Sequence, residues 1–363
     1  MGYMTELKNK CVEKIARTSI RIKDSMPYTT YDGKYDDYSD EKHIRWWTNS
    51  FWAGMLWQMY DITADERYME DAVKIENKLE KVLYAYETLD HDLGFLWLLT
   101  GAEHYRHTGD KRAKNNLLLA ASVLASRYDI GAGVIRAWND RYCSGVAIID
   151  SLMNMPLLYM ASDLEFDGRF KRVAMAHAEK VREYFVREDG SVRHIVRFDP
   201  ENGSFVCVDG GQGYNEDSAW TRGQGWAIYG FVQNYQLSGK KEFLDESVKV
   251  AEYFISEAEK NDYKIKCDFR QPEDVELYDT SAAAVAACGL TELYRETKEE
   301  KYLEAARRLI MVCDREFCPW DDEKDEALVN NACEAYSVGK HKALIYGDFY
   351  FFKAVCLLAE LEH

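Results

Sequence analysis

Five aspartates stand at or beside the start of long apolar segments: Asp92, Asp150, Asp217, Asp279 and Asp348. Aspartate is a favoured helix N-cap, because its carboxylate accepts the free N–H groups of the first turn and suits the positive end of the helix dipole. Asp279, before TSAAAVAA, and Asp348, in YGDFYFF, fit that capping role. Asp150 lies in GVAIIDSLMNMP, apolar on both sides. Desolvation there would raise a carboxyl pKa and supply a proton donor near neutral pH. Asp92, in LDHDLGF, has Asp90 and His91 beside it, a polar setting that favours the ionised form. Two carboxyls in contrasting environments are the acid and base pattern of sugar chemistry.

Tryptophans cluster near the same segment starts, as Trp46, Trp47 and Trp52, then Trp138, then Trp220 and Trp226. Core packing accounts for some of them. Trp138 sits in the polar stretch IRAWNDRYCSG, where an aromatic face suits stacking on a sugar ring. The segment GGQGYNEDSAWTRGQGW adds Gln212, Arg222 and Gln224. Its glycines allow close backbone approach, and Arg222 offers a planar fork for a carboxylate. No βαβ unit surrounds these glycines, so they are not a dinucleotide fingerprint. His194, in SVRHIVRF, is open to a structural or a functional reading. No His, Cys and Asp spacing resembles a metal site and no serine triad context is visible, so no metal is expected.

The elements that must position these residues are helices of two alternating kinds. One kind is apolar nearly all round: segments from Trp47, Asp92, Ile149, Ser218, Asp279 and Gly347. The other is amphipathic and opens in polar turns, as in ADERYMEDAVKI, GDKRAKNNLLLAASVL, DGRFKRVAMAHAEKV, SGKKEFLDESVKVAEYF and KEEKYLEAARRLIM. With the helix from about Thr5, this makes six inner and six outer helices. Strands are expected only as a short hairpin around SVRHIVRF and SFVCVDG. Stacked helical pairs form either an open solenoid or a closed ring. Both ends look like ordinary repeats rather than caps, which favours a closed all-α (α/α)6 barrel as a single domain over residues 1–363. Closure would bring all inner-helix N-termini to one face.

A formal net charge of −17 works against binding nucleic acid or acidic membranes, although a pocket can still hold local cations. The charged N-terminal segment lacks a secretory apolar core and no later segment reaches membrane-spanning length. Nine cysteines without paired spacing read as reduced thiols, and a cytoplasmic protein, monomeric or weakly homo-oligomeric, is expected.

The segments RWWTNSFWAGMLW, HDLGF, IRAWND, IIDSLMNMPLL, GGQGYNEDSAWTRGQGWAIYG and DTSAAAVAACGL, in this order, resemble the unsaturated glucuronyl hydrolases of glycoside hydrolase family 88 over nearly the whole chain. The resemblance implies an (α/α)6 barrel acting on lyase-generated oligosaccharides that end in a 4,5-unsaturated uronate. It makes Asp150 the general acid and base and Asp92 the second carboxylate. It makes Trp46, Asn49, His91, Trp138, His194, Gln212, Arg222 and Trp226 sugar-binding residues. It implies that Asp150 protonates C4 of the vinyl ether and that water adds at C5, without metal or cofactor. Family members that prefer sulfated substrates carry Ser-x-x-Ser-x-Lys. Here SVGKHK gives Ser337, Lys340 and Lys342, with lysine at the middle position, where a second cation would favour sulfate.

Chondroitin and hyaluronan fragments are the expected substrates, with heparin-type fragments a further candidate. Three rival readings stand beside this one. An unsaturated rhamnogalacturonyl hydrolase would share the barrel and act on pectin fragments, but GGQGY and AWTRGQGW look more like the glucuronyl enzymes. A sugar epimerase of the same fold would need paired histidines, and histidines in the inner helices are scarce. A non-catalytic carbohydrate-binding ring leaves a buried Asp150 without a task.

Overall fold

The computed structural model describes residues 2–362. Helix α1 (Tyr3–Ile22) is an outer helix, and inner and outer helices then alternate along the chain. The pairs are α2 (Phe51–Thr63) with α3 (Glu66–Leu79), then α4 (Leu93–Leu98) and α5 (Gly101–Thr108) with α6 (Lys111–Ser126). Next come α7 (Met155–Glu165) with α8 (Gly168–Phe185), α9 (Thr221–Ser238) with α10 (Lys241–Glu259), and α11 (Thr280–Thr297) with α12 (Glu300–Phe317). The inner helix α13 (Ile345–Ala359) ends the series.

Outer helices bury one stripe. In α3 it is Tyr68, Ala72, Ile75 and Leu79, and in α12 Tyr302, Ala306, Leu309 and Cys313, at the spacing that places side chains on one helical face. The recurring aromatics are therefore the first inward anchors of these helices. Asp65, Asp110 and Asp167 cap α3, α6 and α8 through backbone N–H groups of the first turn. Inner helices are buried on nearly all faces, as the unbroken buried run Thr280–Thr291 of α11 shows.

The ring closes. Helix α13 packs against α11, α1 and α2, and Ser50 Oγ, at the start of α2, donates to Phe95 O of α4 at 2.7 Å. Glu362 accepts the backbone N–H groups of Met4 and Thr5, tying the two ends together. One apolar cluster runs through the helices from Met4 to Ala359. The closed (α/α)6 barrel is thus the observed architecture, with local departures from the sequence pattern.

The apolar segment from Asp92 is two helices, because Thr100 (φ −123°, ψ −90°) leaves helical geometry and turns its hydroxyl back onto Leu96 O. The segment from Ile149 opens with a 3₁₀ turn, Ile149–Asn154, before α7. Asp279 is a true cap, accepting from Ser281 N. Asp348 is not: it lies inside α13 and accepts Leu328 N, Val329 N and the Tyr35 hydroxyl, tying a loop down. Asp217 is exposed in the loop before α9. The expected hairpin forms from Ile195–Phe198 and Phe205–Asp209, and Val146–Ile148 adds a third antiparallel strand. Three two-stranded ladders, each of two-residue strands, accompany it. No described helix is long and apolar enough to cross a membrane, and all nine cysteines are free.

Candidate active site

Two inner segments bring the acids together. Asp92 stands at the N-terminus of α4 and Asp150 in the 3₁₀ turn before α7. Their approach depends on Gly94, where a Cβ would collide with the backbone of Asn154. Across this contact Phe95 N donates to Asn154 Oδ1 at 2.8 Å, and Asn154 Nδ2 donates to Asp92 Oδ1 at 3.3 Å.

His91 lies between the two carboxyls. Its Nε2 is 3.0 Å from Asp150 Oδ1 and 3.3 Å from Asp92 Oδ1, while Nδ1 donates to Ala137 O at 2.9 Å. Burial disfavours the imidazolium, but the adjacent Asp92 and Asp150 outweigh it and lift the His91 pKa to about 10. His91 is then a cation that donates from both nitrogens. Burial pushes the Asp92 carboxyl well above the carboxylate range, against the pull of His91. This corrects the expectation of a polar, ionised Asp92. Its neighbours in sequence are polar, but the Asn154 turn and His91 close over it. Asp150 is the more open, with its side chain 16% exposed against 12% for Asp92, so its apolar sequence neighbours do not seal it from the pocket.

Of the other expected residues, Trp138 and His194 adjoin this centre. The Trp138 ring meets His91 edge-on at 6.1 Å between centroids. His194 lies in the field of Asp150, yet burial drives its pKa down to about 4 and keeps it neutral. Gln212 N donates to His194 Nδ1 at 2.9 Å, which leaves the proton on Nε2, a buried donor with no protein partner. Gly211, at φ +56°, makes this possible, since a Cβ there would strike the imidazole. Asn49 likewise donates to His43 O at 2.9 Å and keeps a buried Oδ1 without a protein partner. Trp46 is partly exposed beside Tyr28, ring edge to face at 5.8 Å.

Arg222 and Trp226 are held differently from their sequence reading. Arg222 is buried between the rings of Trp220 and Tyr346, and its fork is occupied by protein: NH1 binds Asp279 Oδ2 at 2.7 Å and Cys333 O at 2.6 Å, and NH2 binds Glu334 O at 2.6 Å. Trp226 is buried against Phe95 and Tyr350 in the wall between inner helices. Ser337 and Lys340 are exposed in the loop before α13, and Lys342 is half-buried with Nζ 3.2 Å from Glu334 Oε2.

Sequence reasoning missed Asn154 and Glu334. The Glu334 carbonyl receives both Gln212 Nε2 and Arg222, and its carboxylate receives Lys342, so it joins three expected residues. No motif announces it, because its role comes from its backbone. The structure also assembles Asp90, His91 and Asp92 with donor atoms within 4.8 Å of one another, a grouping that the spacing reading for metals did not foresee. His91 Nδ1 faces a carbonyl there and is a donor, while Nε2 bridges two carboxyls. The donor set thus fits a proton-handling cluster better than a cation site.

A closed helical ring with two carboxyls bridged by an imidazole, aromatic walls and unpartnered buried polar atoms is the layout of a saccharide-processing centre. The family model described as Glycosyl Hydrolase Family 88 matches residues 18–260. The chain belongs to this family. Among family relatives, the unsaturated glucuronyl hydrolase of Bacillus sp. (strain GL1) is 35% identical over 86% of this chain and 86% of its own. The crystal structure of unsaturated glucuronyl hydrolase from Bacillus sp. GL1, described as responsible for the degradation of glycosaminoglycan, superposes with a TM-score of 0.91 at 32% identity, covering 99% of this chain and 97% of that one. A mutant of the Streptococcus agalactiae unsaturated glucuronyl hydrolase, complexed with dGlcA-GalNAc6S, matches with a TM-score of 0.80 at 25% identity, over 98% and 90% of the chains. The protein is therefore a glycosidase, and its (α/α)6 barrel is that of these enzymes.

Proposed function

We propose that this family 88 enzyme releases the 4,5-unsaturated uronate from the non-reducing end of lyase-generated glycosaminoglycan fragments by hydrating the C4=C5 vinyl ether. The single observation that carries the site assignment is His91 Nε2 bridging Asp150 and Asp92, with Asp150 the more open carboxyl. In this reading Asp150 gives its proton to C4, and water adds at C5 as it returns a proton to Asp150. The resulting hemiketal opens and expels the remaining sugar. His91 fixes the Asp150 carboxyl, and Asp92, whose burial raises its affinity for a proton, is the second carboxyl beside the same imidazole. His194 Nε2 and Asn49 Oδ1 gain partners from the sugar's polar groups. Trp138 and Trp46 supply stacking faces.

Arg222 and Gln212 act through Glu334, holding the segment that presents Lys342. Lys342, with Lys340 and Ser337, is the proposed sulfate contact. Trp226 shapes the wall behind α4. Free thiols throughout suit a reducing compartment.

The test is optical. Purified protein should remove the ultraviolet absorbance of the conjugated double bond in unsaturated chondroitin or hyaluronan disaccharides. Persistence of that absorbance across pH and substrate type would refute the proposal.

A further inference from the structure

Beyond Trp138 lies a cleft of about 610 Å³ that the candidate active site does not use. The hairpin strand builds one wall. Side chains alternate across a strand, so His194, Val196 and Phe198 turn into the protein while Arg193, Ile195 and Arg197 line the cleft. Arg187 joins them, and Val146 and Trp138 complete an apolar side.

The three arginines are half-buried, and among the described residues none lies within ion-pair distance of a carboxylate. Each is held instead by neutral oxygens through one terminal nitrogen. Arg187 NH1 donates to Ser218 O and Ser191 Oγ at 3.1 and 3.2 Å, Arg193 NH1 to Tyr184 O at 2.6 Å, and Arg197 NH1 to Tyr142 O at 2.6 Å. That arrangement orients the guanidiniums without neutralising them. Burial, with Arg270 and Arg193 nearby, depresses the Arg187 pKa against the pull of Asp189 and Asp217. Asp209, Glu216 and Asp217 line the same cleft and are exposed. In a chain of net charge −17, three oriented guanidiniums without an ion-pair partner, beside Trp138, suit an anionic occupant.

We propose that this cleft is a distal oligosaccharide subsite in which Arg193 and Arg197, supported by Arg187, bind the carboxylate of the next uronate along the substrate. The proposal rests on the function given above, because glycosaminoglycan fragments carry a uronate at every second sugar. Trp138 links the two regions: its ring meets His91, and it also lines the cleft. The bordering acids accept hydroxyls of the same sugar. A disaccharide, whose uronate is the reacting ring, has no carboxylate left for this cleft; a tetrasaccharide has one.

The experiment compares unsaturated hyaluronan disaccharide, hyaluronan tetrasaccharide, and a tetrasaccharide whose internal carboxyl is reduced to the alcohol. Wild-type enzyme should show a KM about tenfold higher for the reduced tetrasaccharide than for the native one, as losing a charge-assisted hydrogen bond predicts. The Arg193→Gln/Arg197→Gln enzyme should lose this preference by a similar rise in KM for the native tetrasaccharide, at unchanged kcat. Its disaccharide kinetics should stay within about twofold of wild type by the same reasoning. Equal wild-type KM values for the two tetrasaccharides would overturn the subsite without recourse to any variant. So would a variant whose losses are equal on disaccharide and tetrasaccharide. If wild-type enzyme turns over none of the three, the proposed function itself fails.

Discussion

Two buried charge clusters at inner-helix N-termini have opposite designs. The Arg222–Asp279 pair is sealed, with side-chain exposures of 2% and 0%, and its groups are held by Ser281, Cys333 and Glu334. The His91 cluster is left incomplete: one imidazole serves two carboxyls, and the Asp150 side chain stays partly exposed. A charge whose partners all come from the protein holds structure in place. A cluster with more acid than base, open on one side, can move a proton.

This contrast can be broken by substitution. Asp279→Ala strands the Arg222 cation in the core and should cost about 3–5 kcal/mol in denaturant unfolding, whereas Asp92→Asn, which removes a carboxyl whose charge burial already disfavours, should cost far less. Comparable losses would erase the distinction. Gly94→Ala should cost about 1–3 kcal/mol by overpacking and lower kcat as well, because the added methyl pushes α4 off the turn that carries Asp150. Stability lost with activity intact would show that the Asp92–Asp150 approach is not needed for turnover.

The pH dependence of stability sharpens the same comparison. His91 binds its proton more tightly folded than unfolded, so rising pH removes stability. For His91 the loss begins near its unfolded value of 6.5 and ends near 10. Unfolding midpoints should therefore fall across that window in wild type and fall less in His91→Gln. A variant with an unchanged slope would show that His91 is neutral in the fold. The smallest effect is expected at Lys342, already paired with Glu334. Lys342→Ala should weaken sulfated substrates by up to about fivefold, the worth of a partly exposed ion pair, and leave unsulfated ones unchanged; an equal effect on both would return the loop to a surface role.

The ring was legible because helix periodicity is local: inner segments are apolar on all sides and outer ones on one stripe. Polar and apolar alternation in SVRHIVRF likewise announced a strand. The errors arose where sequence neighbours are not spatial neighbours. Asp92 looked polar beside Asp90 and His91, but Asn154 and a glycine-permitted close contact bury it. Arg222 looked ready for a substrate carboxylate, and its carboxylate is Asp279, 57 residues on. Asp348 looked like a cap, and it binds a loop that arrives from Leu328 and Val329. Glu334 acts through its carbonyl, which no side-chain pattern can reveal.

The central claim is that the Asp150 carboxyl performs the hydration. The most direct measurement follows the ultraviolet absorbance of an unsaturated chondroitin disaccharide with wild-type and Asp150→Asn protein at equal concentration, alongside thermal unfolding. The account predicts that wild type clears the absorbance, while the variant unfolds normally and is slower by at least about a thousandfold, the scale of a lost acid and base. A folded variant that clears it at a near-normal rate would place the acid elsewhere.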